Sequence, residues 1–322
     1  MRQLMFYFFR RFVKIENIFF EKFVSFLSLL KTRKIPGVRT FSRAIRKSRK
    51  HLSDLVYYKF KPKGIVFIEV YGNKMYVDTD DKDIAPKLIL EDYREESYET
   101  ALFCKMIKEG MVVVDVGANI GLYTLIASRL VGKTGVVYAF EAMPINYELL
   151  CKNIEINNYT NVVPIQKAVS NKTGEASFWF EKDWRGSSSL SKLSVLAVSK
   201  HKIMEKGGFV KVKTISLDNF FENTIKNNRV SVIKIDTGGA EGLIIDGSPK
   251  IFKDNVHLKI FLEFWPDALQ DLGTNPLELL QKLQEYGFAI KFINEAKQTL
   301  EFIDIKEEKY FIGTGFNLLL EK

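Results

Sequence analysis

The chain is poor in the residues that would make it a disulfide scaffold or a zinc protein. Two of its 322 residues are cysteine. Cys104 and Cys151 cannot build a disulfide framework and lack zinc-type spacing, which suits a reducing, cytoplasmic compartment. Histidine is equally scarce, with His51 in an N-terminal arm, His201 in an irregular region and His257 at the start of a strand-like run. No window offers roughly 18 uninterrupted apolar residues, which argues against a transmembrane helix. The N-terminal apolar stretch is broken by charge and no small-residue cleavage site follows it, which argues against a signal peptide. Internal repeats and low-complexity tracts are absent. With 46% apolar and 27% charged residues, the composition is that of a globular protein, not a disordered or fibrous one.

Acidic residues are nearly missing from the first 63 positions. That segment holds 17 Lys or Arg against Glu16, Glu21 and Asp54, a balance of +14, while the remainder of the chain stands at −5. A mildly acidic body thus carries a strongly basic arm, and no body-wide basic surface of the nucleic-acid type is indicated. Residues 4–30 place Arg10, Arg11, Lys14, Glu21 and Lys22 on one side of a helical wheel and eight of the 26 phenylalanines elsewhere. This reads as a basic amphipathic helix. Its apolar face needs cover, because each buried Phe is worth about 1.5–3 kcal/mol. Three covers remain open: the chain's own body or a twin subunit in a homo-oligomer, the plane of a membrane, and nucleic acid. The basic stretch 31–50 favours an anionic leaflet, a peripheral contact at the inner membrane face.

Beyond residue 63 the pattern divides. Residues 64–110 read as a β-hairpin, 65–70 and 74–79 joined through Tyr71-Gly72-Asn73, followed by a helix ending at Gly110. In residues 111–322 strands alternate with helices: strands at 111–116, 136–140, 162–168, 231–236, 257–265, 288–293 and 316–320, helices at 122–130, 145–157 and 276–286. Most of these strands are apolar on both faces, which predicts a Rossmann-like α/β domain with a mostly parallel sheet and helices on both faces. The longest irregular region, about 181–209, has the length of a functional loop.

The strongest local signal is Asp115-Val-Gly117-Ala-Asn119-Ile-Gly121, which closes an apolar strand and opens a helix. The glycines permit a sharp turn and close approach of a ligand, and the helix N-terminus offers unpaired N–H groups. Glu141 ends the next strand, 20 residues past Gly121, where an acid can accept both hydroxyl protons of a ribose. The spacing is not Gly-x-Gly-x-x-Gly, and Asp115 suits a cationic ligand better than a pyrophosphate. S-adenosylmethionine fits: it has a ribose, an ammonium and a sulfonium, and no phosphate.

The run from Val112 to Glu141 resembles the opening of the FkbM-type S-adenosylmethionine-dependent methyltransferases. The likeness continues through Pro144, Asn146, Asn153, Asn161, Ala168-Val169-Ser170, Gly174, 188–190, 214–218, 233–241, Gly247 and Leu262-Glu263, and covers about 65–293. It implies a seven-stranded class I methyltransferase sheet whose last strand, 316–320, is antiparallel. It also implies O-methylation of a hydroxyl, often on a saccharide, glycolipid or natural product. Carried over, Asp115, Gly117, Asn119 and Gly121 line the methionine and ribose end of the cofactor, Glu141 holds the ribose, and Ala168 touches the adenine. Two departures stand out. Thr237 and Gly238 replace the family's Val-Glu after the fourth strand, and Ala142-Met143 replace Pro-Asn before Pro144.

Methyl transfer to an alkyl hydroxyl calls for a base within hydrogen-bond reach. Asp236, Glu241 and Glu263, all near carboxyl ends of strands, form the candidate catalytic group: base, hydrogen-bond acceptors, or ligands for Mg²⁺. For Glu241 an equal reading is an acid complementing a helix N-terminus. Trp179, Trp184, Trp265 and residues 187–189 could form a sugar-binding wall, against plain strand packing for Trp179. Two other functions stay open: an RNA methyltransferase using the arm, and an inactive cofactor-binding scaffold motivated by Gly238.

Overall fold

The computed structural model describes residues 57–59, 61–89, 97–181, 207–227, 229–305 and 315–322. The expected helix over 4–30, the basic stretch 31–50, His51, Trp184, residues 187–189 and His201 lie outside them.

The hairpin forms as expected, β1 (Ile65–Val70) against β2 (Asn73–Asp78), antiparallel with Val70 opposite Asn73. Helices α1 (Ile84–Ile89) and α2 (Tyr98–Met106) follow. Then come β3 (Val112–Val116), α3 (Leu122–Val131), β4 (Val136–Phe140), α4 (Pro144–Ile156) and β5 (Val162–Ile165). Strands β6 (Ala168–Val169), β7 (Gly174–Glu181) and β8 (Gly207–Ile215) make a separate three-stranded sheet in the order β6-β8-β7. A short helix α5 (Leu217–Asn219) runs into a π turn over Phe220–Ile225. The remainder is β9 (Val232–Ile235), α6 (Glu241–Asp246), α7 (Pro249–Asp254), β10 (Lys259–Phe264), α8 (Pro266–Asp271), α9 (Pro276–Glu285), β11 (Ala289–Asn294), β12 (Thr299–Phe302) and β13 (Phe316–Glu321).

The main sheet has the order β12-β11-β13-β10-β9-β3-β4-β5. Strands β10, β9, β3, β4 and β5 pair in parallel, and β13 runs antiparallel between β10 and β11. The antiparallel last strand is as expected, but the sheet has eight strands where seven were predicted. The added strand is β12, a hairpin partner of β11; its sequence, Thr-Leu-Glu-Phe, is too short and too exposed to stand out as a strand. The predicted strand 162–168 also divides. Pro164 lacks a ladder donor and sits on β5, the edge of the sheet, where this is tolerated. The Lys167 N–H then turns back onto the Ile165 carbonyl (3.0 Å), and Ala168-Val169 leave to pair with Thr214-Ile215.

Alternate residues on each central strand enter different cores, as a sheet covered on both sides requires. Val114, Ile233, Leu262 and Leu320 pack with Phe220, Ile244, Phe252 and Leu280 from one layer of helices. Val113, Val232, Phe261 and Leu319 pack on the other face with Leu102, Phe103 and Ile126 of α2 and α3. Phe103 meets Tyr123 and Phe261 edge-on at 5.0 and 5.3 Å, a favoured aromatic geometry.

Asn157 and Tyr159 tie the hairpin to this body through Lys74 and Asn73, and the buried Asn153 ties it at Tyr76. Asn153 of α4 accepts from the Tyr76 N–H (2.6 Å) and donates to the carbonyls of Tyr76 (3.1 Å) and Ile120 (2.8 Å). It thereby joins β2, α4 and the turn after β3. Around it Val66, Ile68, Met75 and Val77 pack on Leu149, Leu150 and Ile154. Asn153→Ala strands the Tyr76 amide and the Ile120 carbonyl, and is expected to lower unfolding free energy by about 2–3 kcal/mol. Urea denaturation of the full chain reads this; a loss below about 0.5 kcal/mol, the range of an ordinary surface change, would contradict the docking role.

Candidate active site

The turn after β3 and the end of β4 form a single structure. The N–H groups of Gly117 and Ala118 both donate to the Phe140 carbonyl, at 3.0 and 2.9 Å. Gly117 takes φ +82, and a Cβ there would lie 1.9 Å from the Asp236 carbonyl oxygen, so no other residue fits between β3 and the end of β9. Gly121 has φ +100, and a Cβ there would lie 2.7 Å from the Leu150 side chain. Asn119 is left-handed as well, φ +51, a conformation that Asn tolerates better than most residues.

Glu141 closes this turn from β4. Its two carboxylate oxygens accept the N–H groups of Asn119 and Met143, each at 2.8 Å. Burial pushes its carboxyl up to about 7, against the pull of those two amide bonds. Asp115 lies beneath the turn, buried, and accepts from Thr124 Oγ1 of α3 at 2.6 Å. Burial raises it to about 6, partly offset by the Thr124 bond. The Asn119 Oδ1 atom is buried without a hydrogen-bond partner. Ala168 lies at the start of β6, packed with Ala142 and Val212, and so adjoins the residue after Glu141. The structure therefore brings Asp115, Gly117, Asn119, Gly121, Glu141 and Ala168 to one end of the sheet.

The three acids predicted to act in catalysis divide. Asp236 ends β9 with its side chain 50% exposed. Glu263, near the end of neighbouring β10, accepts the Gly238 N–H at 3.1 Å and interacts electrostatically with Asp236. Burial, then the charges of Asp236 and Glu241, hold Glu263 well above the usual carboxylate range. Glu241 is fully buried. It accepts from the N–H and hydroxyl of Thr237 (3.0 and 2.7 Å) and from the Gly239 N–H (2.9 Å). This is the helix N-terminal reading of Glu241: it holds the loop between β9 and α6. Gly238, where the family pattern has Glu, takes φ +62 and contributes an N–H in place of a carboxylate. No group of three or more His, Cys, Asp or Glu positioned to hold a metal occurs among the described residues.

Sequence reasoning passed over Lys234. It is buried in the middle of β9, 2.9 Å from Asp236 Oδ2 and 3.5 Å from Glu99 Oε1 of α2, with its ammonium 4.5 Å from the centre of the Tyr123 ring. Burial alone would lower its pKa, but the carboxylates of Asp236 and Glu99 hold it well above the ordinary lysine value. The same carboxyl–ammonium pairing keeps Asp236 below its usual range despite desolvation. The available signal was a lone lysine in the apolar run Ser-Val-Ile-Lys-Ile-Asp. Other candidates fall away from the site. His257 is exposed at the amino end of β10, the opposite edge of the sheet. Trp179 is buried in β7 against Phe209 (4.8 Å), the strand-packing reading. Trp265 is half-buried just past β10.

Comparison with known proteins finds relatives for the body of the chain. The methyltransferase FkbM domain matches residues 115–290. A protein named Methyltransferase 1 from Beauveria bassiana is 25% identical over 165 residues, 49% of this chain and 64% of that protein. Methyltransferase sdnD of Sordaria araneosa is 27% identical over 197 residues, 55% of this chain and 73% of its own length. The chain thus spans a little under two thirds of the first relative. Among solved structures, M. jannaschii TYW2 in complex with AdoMet is 14% identical with a TM-score of 0.43, covering 81% of this chain and 86% of that one. With the domain match running from Asp115 in β3 to Ile290 in β11, more than half of its length, the chain belongs to the FkbM methyltransferase family.

Proposed function

We propose that the chain is an S-adenosylmethionine-dependent O-methyltransferase acting on a hydroxyl of a saccharide or glycolipid. The observation that carries the cofactor reading is the joined end of β3 and β4. A buried carboxylate, Glu141, stands against a glycine turn too tight for a side chain, beside the unpartnered acceptor Asn119 Oδ1. Those groups fit a ligand with hydroxyl and ammonium donors: Glu141 would accept the ribose hydroxyls, Asp115 would face the positive end, and Ala142 and Ala168 would offer an apolar wall to the base. When bound, S-adenosylmethionine supplies an activated methyl carbon.

The chain's own residues would orient the acceptor and take its proton. Asp236 is the base in this reading, because it is ionised and half exposed at the carboxyl edge, where open parallel sheets bind ligands. Glu263, holding its proton, would donate to an acceptor oxygen. Support for a sugar comes from the acids themselves, since carboxyl groups that accept and donate hydrogen bonds suit a polyhydroxyl surface. The basic residues of 1–50 would bring the enzyme to an anionic membrane carrying a glycolipid acceptor. No helix among the described residues is long and apolar enough to cross a membrane.

Because only the ionised Glu141 accepts two hydroxyl protons, affinity for S-adenosylmethionine should fall as pH drops through about 7. Isothermal calorimetry should show about a tenfold weaker Kd at pH 6 than at pH 8. Glu141→Gln should bind more weakly at pH 8 and lose most of that dependence; a wild-type Kd flat across the range would refute the assignment. Separately, Asp236→Asn should slow tritium transfer from labelled cofactor to a membrane glycolipid extract by about 10²–10⁴-fold with little change in cofactor Kd. Unchanged transfer would remove Asp236 as the base.

A further inference from the structure

We propose that Lys234 is a positioning residue for the methyl-transfer site, a buried ammonium clamped between Glu99 and Asp236 that fixes the Asp236 carboxylate, charged, at the carboxyl edge of the sheet. This rests on the reading of Asp236 as base.

Lys234 occupies an interior position of β9 whose neighbours along the strand, Val232, Ile233 and Ile235, are all buried and apolar. It lies across from Asp115 of β3 and Phe261 of β10 in the sheet register. A buried ammonium is expensive unless it is paired, and a methionine of similar length would fill the same space, so packing alone does not account for a lysine. Three groups surround the ammonium, of which Asp236 takes a hydrogen bond. Asp236 lies at 2.9 Å, Glu99 at 3.5 Å and the Tyr123 ring at 4.5 Å.

Glu99 is itself held in place, its Oε2 accepting from Asn317 Nδ2 at 2.7 Å and from the Tyr123 hydroxyl at 3.2 Å. The start of α2 that carries it is pinned by Ser97, whose Oγ accepts from the Thr100 N–H, and by Glu295, whose carboxylate accepts the N–H groups of Tyr98 and Glu99. The clamp therefore draws on α2, α3, β9 and β13. The titratable groups facing Asp236 are Lys234 on its own strand, Glu263 on β10, Glu99 on α2, Asp115 on β3 and, further off, Lys87 on α1. Burial raises Glu99, Asp115 and Glu263, whereas the Lys234 ammonium holds Asp236 below its usual range against its own desolvation. Lys234 donates to Oδ2, which fixes the carboxylate while the side chain stays half exposed.

The test is carboxyl-carbon NMR on the full chain, with Asp236 assigned through Asp236→Asn, in the wild type, Lys234→Met and Lys234→Gln. Lys234→Gln keeps a polar group of similar reach, so a folded variant remains if the methionine form does not fold. The wild type should show Asp236 ionised below its ordinary midpoint. Both variants should raise that midpoint by about one pH unit or more, with an unchanged far-ultraviolet circular dichroism spectrum. The acid limb of the methyl-transfer pH profile should move to higher pH with that midpoint; a midpoint that stays where it was, or a pH profile that does not follow it, would overturn the proposal. Calorimetry with S-adenosylmethionine on the same samples separates the two readings. Loss of cofactor binding in the wild type would sink the proposed function, while the Asp236 titration still decides the role of Lys234.

Discussion

The closest constraint in the molecule is the contact between the Gly117 backbone and the Asp236 carbonyl. A single Cβ there would sit 1.9 Å from the oxygen, far inside any contact real atoms tolerate. Because the contact is backbone on backbone, neither side can swing away, and the turn after β3 is held against the end of β9. The Phe140 carbonyl, receiving two N–H groups from the same turn, fixes β4 alongside. Three parallel strands thus deliver their carboxyl ends to one place. The turn after β3, Glu141 and Asp236 are neighbours for the same reason.

The second constraint is electrical. The face of the sheet under α2 and α3 is apolar at Val113, Val232, Phe261 and Leu319, yet Asp115, Lys234 and Glu99 are buried on that side. Each unpaired charge there would cost several kcal/mol. The network answers with shared protons and short bonds: Thr124 on Asp115, Asn317 and Tyr123 on Glu99, Asp236 on Lys234. The network leads, through Asp236, to the exposed end of β9.

What the sequence made legible follows from periodicity and from turn chemistry. Strand–helix alternation pointed to the parallel sheet, and glycines at 117 and 121 with an acid at 141 pointed to the turn that joins the ends of β3 and β4. What it hid depends on three-dimensional pairing. Strand β12 exists because β11 offers it an edge, and 162–168 divides because Pro164 restricts β5 to the sheet margin and Thr214-Ile215 capture Ala168-Val169. Glu241 and Glu263 look alike in sequence, each an acid near a strand end. Only the fold shows Glu241 spent on the Thr237–Gly239 loop and Glu263 linked to Asp236. Lys234 was visible as an oddity, a lysine in an apolar run, but its partner Glu99 is 135 positions away in the chain and reaches it only after α2 packs on the sheet.

The account turns on whether the ends of β3 and β4 hold one and the same cofactor. Backbone amide NMR of the full chain on addition of S-adenosylmethionine tests this most directly. The expected result is a saturable shift of the amides of Gly117, Asn119 and Met143 together, with no such shift on addition of NAD. A cofactor titration that leaves those three amides unmoved, or that moves the turn without the end of β4, would contradict it.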